Sequence, residues 1–537
     1  MEFDYVVVGA GAAGCVVAAR LAEAGHQVAL VEAGGHGRHP LLHIPIGYAA
    51  MMNRAAFGWG HETEPEPHLQ GRRIRWPRGC TVGGSAAING LVFLRGSPGD
   101  FDGWAAGGAT GWSYLDVLPA FRKLERHLAE TDAAELHGFD GPIPVQRCAT
   151  PSAVARAFVA AAVELGFEYR ADFNGPSLSG AGFLPMNVRR GLRRTSATEY
   201  LRPALRSRRL VLHTRLHVAQ VDFDGHRARG VECRDVSGGR LQLRAQREVV
   251  LCAGAVNTPP LLELSGIGAP AVLARLGVSI RCASPHVGEG LQDHLMARFV
   301  FRSRVPTLNT LRRSVPGALG IALRYLLGGG GPLGIAASEA SLFATVQAEP
   351  RRSAKSTGPD LQFQVANFSL DSYAEGLHRF PGFVYSACVC RPDSRGSVHA
   401  VSADPLGRPA IRANYLDADY DVAALLEGFR LGRALARQPA LAAIIDEEIK
   451  PGPAAASDEA LLAHVRATAS TTFHPCGSAR IGPDIESGVV DARLRVHGVE
   501  RLRVVDASVM PVIPSTNIHA ATLMVAERGA EMLLRDA

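Results

Sequence analysis

The chain has 537 residues, a hydrophobic fraction of 47% and a mean hydropathy of +0.05, enough apolar content for a substantial core and room for roughly two to four domains. Its net charge of +6 rests on arginine, since Lys123, Lys355 and Lys450 are the only lysines among 57 basic residues; these charges are spread rather than clustered with aromatics, which argues against nucleic acid. Nine scattered cysteines without a C-x-x-C pair suggest neither a disulfide framework nor a zinc site.

Residues 4–34 read DYVVVGAGAAGCVVAARLAEAGHQVALVEAG. An apolar strand runs into Gly9, Gly11 and Gly14. Small and apolar residues predict a helix to about Ala24, ended by Gly25. A second strand, Val28 to Val31, delivers Glu32. This is the dinucleotide fingerprint in its strand–helix–strand context. Gly9 permits the tight turn, Gly11 lets a pyrophosphate approach the helix N-terminus, and Gly14 allows close helix–strand packing. Glu32 can accept from ribose hydroxyls, and Ala12, Ala13 and Ala33 complete the cofactor-facing set.

Two histidine-bearing stretches follow, HGRH at 36–39 and HETEPEPH at 61–68. The prolines of the second and the spacing of the first predict solvated loops rather than metal sites. Residues 77–104 read PRGCTVGGSAAINGLVFLRGSPGDFDGW. Here the turn Val82-Gly83-Gly84-Ser85, followed by Ala86 to Val92, offers small residues and bare amides against which a flat ring can lie. Ser113 and Asp116 form a capping box opening a helix predicted from Asp116 to His127. Val218, in HTRLHVAQVDFDG, reads as a core valine. Val249 to Ala253 predicts a buried strand. Gly254 makes a tight crossing before a helix predicted from about Pro259 to Leu264, and Ser265 and Gly266 read as structural.

Farther on, the stretch from Val315 to Ala337 is apolar except for Arg324 and is broken by Gly328 to Gly331; it reads as a mobile lid or entrance segment. Arg391 faces either the site or an ion-pair partner. His474 stands in TTFHPCGSARIG, its loop shaped by Pro475 and Gly477, with Cys476 as a small filler. The strand Leu502 to Val505 ends at Asp506 and Ala507, where a carboxylate suits a nucleotide edge or a helix cap. Asn517, Ile518 and His519 then precede a helix of small and apolar residues. The chain enters its first strand without a basic, apolar or cleavage region, and no apolar run reaches spanning length. A cytoplasmic setting is expected, with peripheral membrane association as the alternative.

The segments at 77–104 and 254–268 (GAVNTPPLLELSGIG) resemble the two signatures of the glucose–methanol–choline (GMC) oxidoreductase family. The resemblance continues through VGEGLQDH at 287–294, RPDSRGSV at 391–398, HPCGSARIG at 474–482 and the segment 506–530, in the manner of choline- and alcohol-dehydrogenase members. It implies FAD, and a Rossmann-like α/β FAD-binding domain with an α+β substrate domain built on an antiparallel sheet. The FAD-binding domain would comprise residues 1–150, 191–298 and 470–537. Residues 151–190 would form a connecting or substrate-domain segment, and residues 299–469 the substrate-binding domain.

The resemblance also implies flavin contacts at Asn89, Gly90, Leu91 and Val92, an adenine contact at Val218, and cofactor contacts at Ala253, Gly254, Asp506, Ala507, Asn517 and Ile518. Ile88 stands where some members attach FAD through histidine, so FAD is expected to be non-covalent. The catalytic pair is expected to be His474, as general base, and His519, steadying the substrate oxygen. Alcohol oxidation needs such a base with a pKa near operating pH, while the flavin carries the redox work. The expected reaction takes a primary alcohol to an aldehyde and passes electrons to oxygen, a quinone or a carrier. A flavin-bound lyase of hydroxynitrile-lyase type is the rival reading on the same fold.

Overall fold

The computed structural model describes residues 1–537 apart from 130, 132, 149, 236, 329, 349–357 and 372–374. Glu2–Val8 (β1) and Val28–Glu32 (β2) run parallel and are joined by helix Ala12–Glu23 (α1). All of β2 and the last four residues of β1 are buried, as in parallel strands covered on both faces. The long strand Arg240–Leu251 serves two partners. It runs parallel to β1 along its C-terminal part, and its first residues pair antiparallel with Arg227–Asp235. Leu502–Val504 adds to it in parallel, and Leu210–Thr214 extends the sheet beyond β2. The carboxyl ends of β1, β2, Arg240–Leu251 and Leu502–Val504 therefore converge, the position at which an open α/β sheet takes its ligand.

A second sheet has the order Ile445–Lys450, Leu295–Ser303, Gly382–Val389, Leu361–Ala366, Ala340–Ala344, Gly180–Phe183, with every neighbour antiparallel. Alternation divides its side chains between two faces. Phe299, Phe301, Phe363 and Tyr385 point one way into the core, where Phe299 meets Phe429 of helix Asp419–Ala436 at 4.8 Å between centroids. The helix comes so close that a Cβ on Gly432 would stand 2.4 Å from the Phe299 ring. Burying each such aromatic contributes roughly 1.5–3 kcal/mol. Met296, Arg298, Gln364, Ala366, Val384 and Ser386 point the other way and wall a cavity. The fold is thus the α/β nucleotide sheet with an antiparallel α+β partner that the sequence leads one to expect.

Two local expectations need correction. The capping box at Ser113 and Asp116 is present, but its helix is Tyr114–Leu124. Glu125–His127 leaves it to pair with Ile143–Arg147, Glu125 being held by Arg95. The helix expected from Pro259 begins at Gly254, because Asp506 accepts from the Gly254 amide at 2.8 Å and from Thr258 Oγ1 at 2.7 Å and so organises the turn before the prolines. In the segment after Val315 the chain is helical over Val315–Gly328, up to the first glycine of the run.

Candidate active site

One cavity of about 460 Å³ runs from the carboxyl ends of the nucleotide sheet to the polar face of the second sheet. At the first end Gly9 has φ +98°, and a Cβ there would lie 2.5 Å from the Cys252 carbonyl oxygen; one on Gly14 would lie 1.9 Å from the Gly9 oxygen. Gly11 differs, since its Cβ would meet no protein atom while the residue itself lines the cavity beside Ala12 and Ala13. No side chain caps α1 and no acid stands in its first turn, so its free amides and dipole favour an anion. Glu32, buried, accepts from Ala10 N at 3.0 Å and Gly34 N at 2.8 Å. Burial pushes its carboxyl up to about 7, against these two amides.

Ala33, Gly84, Asn89, Gly90, Leu91, Val92, Val218, Ala253, Gly254, Ala507 and Ile518 also line the cavity. Val82, Gly83 and Gly14 do not. The Gly83 amide donates to Ala10 O and the Val82 amide to Gly35 O, so these two residues fasten the loop to the nucleotide turn from behind. Asp506 lines the cavity too. Its carboxylate accepts from Gly254 N, Thr258 Oγ1, Ser508 N and Ser508 Oγ, which fills its acceptor sites. It thereby holds the amide end of helix Gly254–Leu264 in place.

At the other end His474 is buried within a set of bonds that fixes its tautomer. His294 Nε2 lies 2.7 Å from the Cys390 carbonyl, which can only accept, so His294 carries its proton there and accepts at Nδ1. His474 Nδ1 lies 2.9 Å from that nitrogen and 2.8 Å from Thr472 Oγ1. The Thr472 hydroxyl itself donates to His294 O at 3.1 Å. His474 therefore holds its proton on Nδ1 and turns the Nε2 lone pair outward, where Asn517 Nδ2 meets it at 3.0 Å. The other end of the Asn517 amide accepts from Gln364 Nε2 at 3.2 Å, which agrees with this orientation. Asp293 accepts from the His474 amide at 2.7 Å and from Tyr415 Oη and Thr471 Oγ1, both at 2.5 Å. Burial, then His294 and Arg78, hold the His474 imidazole well below the ordinary histidine range.

The geometry pairs His474 with Asn517 rather than with His519. Residue 517 lies in the loop over His474, while His519 begins helix His519–Arg535 and has no hydrogen bond to His474. His519 lines the cavity, its Nε2 is buried without a partner, and burial followed by the charge of Arg193 lowers it to about 4. Arg193 is itself buried and donates to Asn89 Oδ1 at 2.7 Å and to the Ala86 and Pro45 carbonyls. It thus positions the loop expected to lie on the flavin.

Other expectations divide. Residues 61–68 are not a solvated loop. Glu66 is buried because it accepts from the amides of Ala413 and Tyr415. His61 is buried against Trp59 (5.9 Å, nearly parallel rings), and neither ring nitrogen has a hydrogen-bond partner within bonding geometry. His39 caps the short turn Pro40–Leu42, and His36 is exposed. Arg391 pairs with Asp100 at 3.2 Å. Cys476 is fully buried outside the cavity. Glu125, His127 and His137 bring three donor groups together, but Arg95 holds Glu125, and His137 bridges Glu125 and Asp172 at 3.0 and 2.7 Å. Against the cost of burial, these bonds raise His137 to about 9, so the group is an ion-pair network. His294, Thr472 and Arg78 lie inside the quoted motifs VGEGLQDH, TTFHPCGSARIG and 77–104 without being singled out, and Gln364 and Arg193 lie in none of the motifs.

A glycine-turned anion seat, an acid at the end of β2 and a buried imidazole facing the same cavity define a nucleotide-dependent oxidoreductase. Residues 3–296 and 392–526 match the N-terminal and C-terminal patterns of GMC oxidoreductase, and the chain belongs to that family. It is 36% identical over 537 residues to an alcohol dehydrogenase [acceptor] of Pseudomonas putida, covering 99% of this chain and 96% of the other. It is 38% identical over 553 residues to an oxygen-dependent choline dehydrogenase of Serratia proteamaculans, covering 99% and 96%. Among solved structures, pyridoxine 4-oxidase from Mesorbium loti superposes with a TM-score of 0.87 at 29% identity, covering 98% of each chain. A formate oxidase superposes with a TM-score of 0.92 at 27% identity, covering 100% of this chain and 98% of the other. The cofactor is FAD, and the cavity fits it. The open face of Gly11, the bare amides of α1 and the partnerless Nε2 of His519 all meet the cavity.

Proposed function

We propose that this enzyme oxidises a neutral primary alcohol to the aldehyde, with His474 as general base and Asn517 as donor to the substrate oxygen. FAD, when bound, accepts the hydride at its N5. A hydroxyl between the two side chains donates to His474 Nε2 and accepts from Asn517 Nδ2. As the O–H proton passes to Nε2, the negative charge gathering on oxygen is met by the amide. The imidazolium so formed keeps its Nδ1 proton on His294 and Thr472. The observation that carries the reading is the outward Nε2 lone pair of His474, set by His294 and aligned with Asn517 at 3.0 Å.

The wall around this end favours an uncharged substrate. Among the described residues the acids lining the cavity are Glu32 and Asp506, both at the nucleotide end and both bonded to backbone amides. Arg78 and Arg298 line the cavity, with Met296, Phe368, Leu370, Val384 and Phe473 supplying apolar surface. No carboxylate there offsets a quaternary ammonium, so a medium-sized aliphatic or aryl alcohol is preferred over choline. Anaerobic mixing of the holoenzyme with a panel of alcohols tests this. Aliphatic or aryl alcohols should bleach the flavin faster than choline does, and no bleaching by any alcohol would overturn the reading.

A further inference from the structure

We propose that helix Val315–Gly328 docks this enzyme flat on an anionic phospholipid surface. Within this helix Val315, Leu319, Leu323, Leu326 and Leu327 are 81, 66, 52, 80 and 79% exposed. At about 100° per residue they fall on one arc of roughly 120°. The inward side carries Gly317, Ile321 and Tyr325, each half-buried, and Tyr325 donates to the Gly191 carbonyl at 3.0 Å. The usual arrangement of a surface helix is reversed, with the larger apolar stripe facing outward.

The occupant is set by charge. Residues 294–338 contain six arginines and no lysine or acidic residue. Arg312, Arg313 and Arg324 are exposed around the leucines, as is Arg190 beside the Tyr325 contact. Among the described residues no carboxylate pairs with any of these four. Apolar side chains rimmed by arginine are the makeup of a helix lying in the headgroup layer. A second copy of the chain fits less well, because a twofold contact would set the same cations against each other. At 14 residues and about 1.5 Å per residue the helix is too short to cross a bilayer, and no helix among the described residues is long and apolar enough to do so.

The position has a use. Downstream of the helix, Leu333 accepts from the Ile46 amide, Ala337 donates to Gly90 O, and Ala337 and Ser338 line the cavity. A docked helix thus sets the cavity wall beside the bilayer, where an apolar alcohol accumulates.

Vesicle co-sedimentation of the FAD-loaded enzyme tests the proposal. Vesicles of phosphatidylcholine with phosphatidylglycerol should carry the enzyme down, and pure phosphatidylcholine should carry much less. The triple variant Leu319→Ser, Leu326→Ser, Leu327→Ser should lose binding at least tenfold, and Arg312→Gln with Arg313→Gln should weaken it and flatten its salt dependence. An unchanged flavin spectrum and unchanged alcohol oxidation with a soluble dye would show that these variants are folded. No binding to the anionic vesicles, or binding that the leucine variant leaves unchanged, overturns the proposal. So does a wild-type dimer in solution that the leucine variant dissociates, which would assign the face to a second copy.

Discussion

Nδ1 of His294 lies 2.9 Å from Nδ1 of His474, and this buried contact admits one proton arrangement. The Cys390 carbonyl claims the His294 proton on the far side, so His474 must donate inward and accept outward. The proposed base is made ready by two groups outside the cavity lining, a neighbouring imidazole and a backbone carbonyl.

Replacing His294 with Phe keeps volume but removes the acceptor. His294→Phe should retain FAD, slow flavin reduction by about tenfold or more, and change alcohol affinity less. Nitrogen-15 spectra of the labelled enzyme should show His474 as a mixture of tautomers, in place of the single form expected in the wild type.

His474→Ala should retain FAD and lose flavin reduction by on the order of a hundredfold or more. Asn517→Ala should also fall by roughly a hundredfold, as for loss of an oxyanion donor. His519→Ala should keep most of the reduction rate and instead weaken FAD retention, read by gel filtration and flavin absorbance. Equal rate losses at Asn517 and His519 would contradict the pairing described above.

The same nucleotide motif should fail in two ways. Gly14→Ala drives a Cβ into the Gly9 oxygen and should give little folded protein. A Cβ on Gly11 meets no protein atom, so Gly11→Leu should give a folded chain whose side chain occupies the cavity and prevents FAD binding. In the wild type, Ile88 has no atom to bond to a flavin, so denaturation should release all the FAD into the soluble fraction, seen by its absorbance.

Histidines of opposite kind predict a stability maximum near pH 6.5. His61, His294 and His519 are lowered to about 4 by burial. The unfolded chain binds their protons first, so stability falls as pH drops from about 6.5 towards 4. His137 and His399 are raised to about 9 by their carboxylates, for His399 Glu263 at 2.6 Å and Glu289 at 2.9 Å. Their contribution is complete below about 6.5 and lost as pH rises through 9. The thermal midpoint should drop by several degrees on both limbs, and His399→Gln should flatten the alkaline one. Catalysis follows its own rule. His474 lies well below the ordinary histidine range, so flavin reduction should persist at pH values where a solvent-exposed histidine is already protonated.

The sequence was most legible where structure is local. The turn at Gly9, the helix after Gly11 and the acid at Glu32 lie within one short unit, and their spacing carries their geometry. His474 was legible through its motif. The hydrogen bond from Asn517 to His474 was not legible, because loop and helix meet between Asn517 and His519, and only the path of that loop decides which side chain covers the imidazole. Glu66 and His294 were illegible for a different reason. Their partners lie 347 and 180 residues away, so nothing near them announces burial. The outward leucines of the Val315–Gly328 helix read as apolar sequence, and apolar sequence does not say which way it faces.

The first helix of the chain packs against the last. Arg20 of α1 pairs with Glu527 at 2.7 Å, Tyr200 donates to the same carboxylate at 2.7 Å, and strand Leu502–Val504 joins the sheet that begins at Glu2. A ribosome making this protein releases the opening strand–helix–strand unit long before the pieces that complete it. The nascent chain must wait with one side of α1 uncovered until helix His519–Arg535 leaves the exit tunnel. FAD loading should therefore wait for helix His519–Arg535, and a premature stop that removes it should forfeit flavin along with the half-built sheet's protection from aggregation.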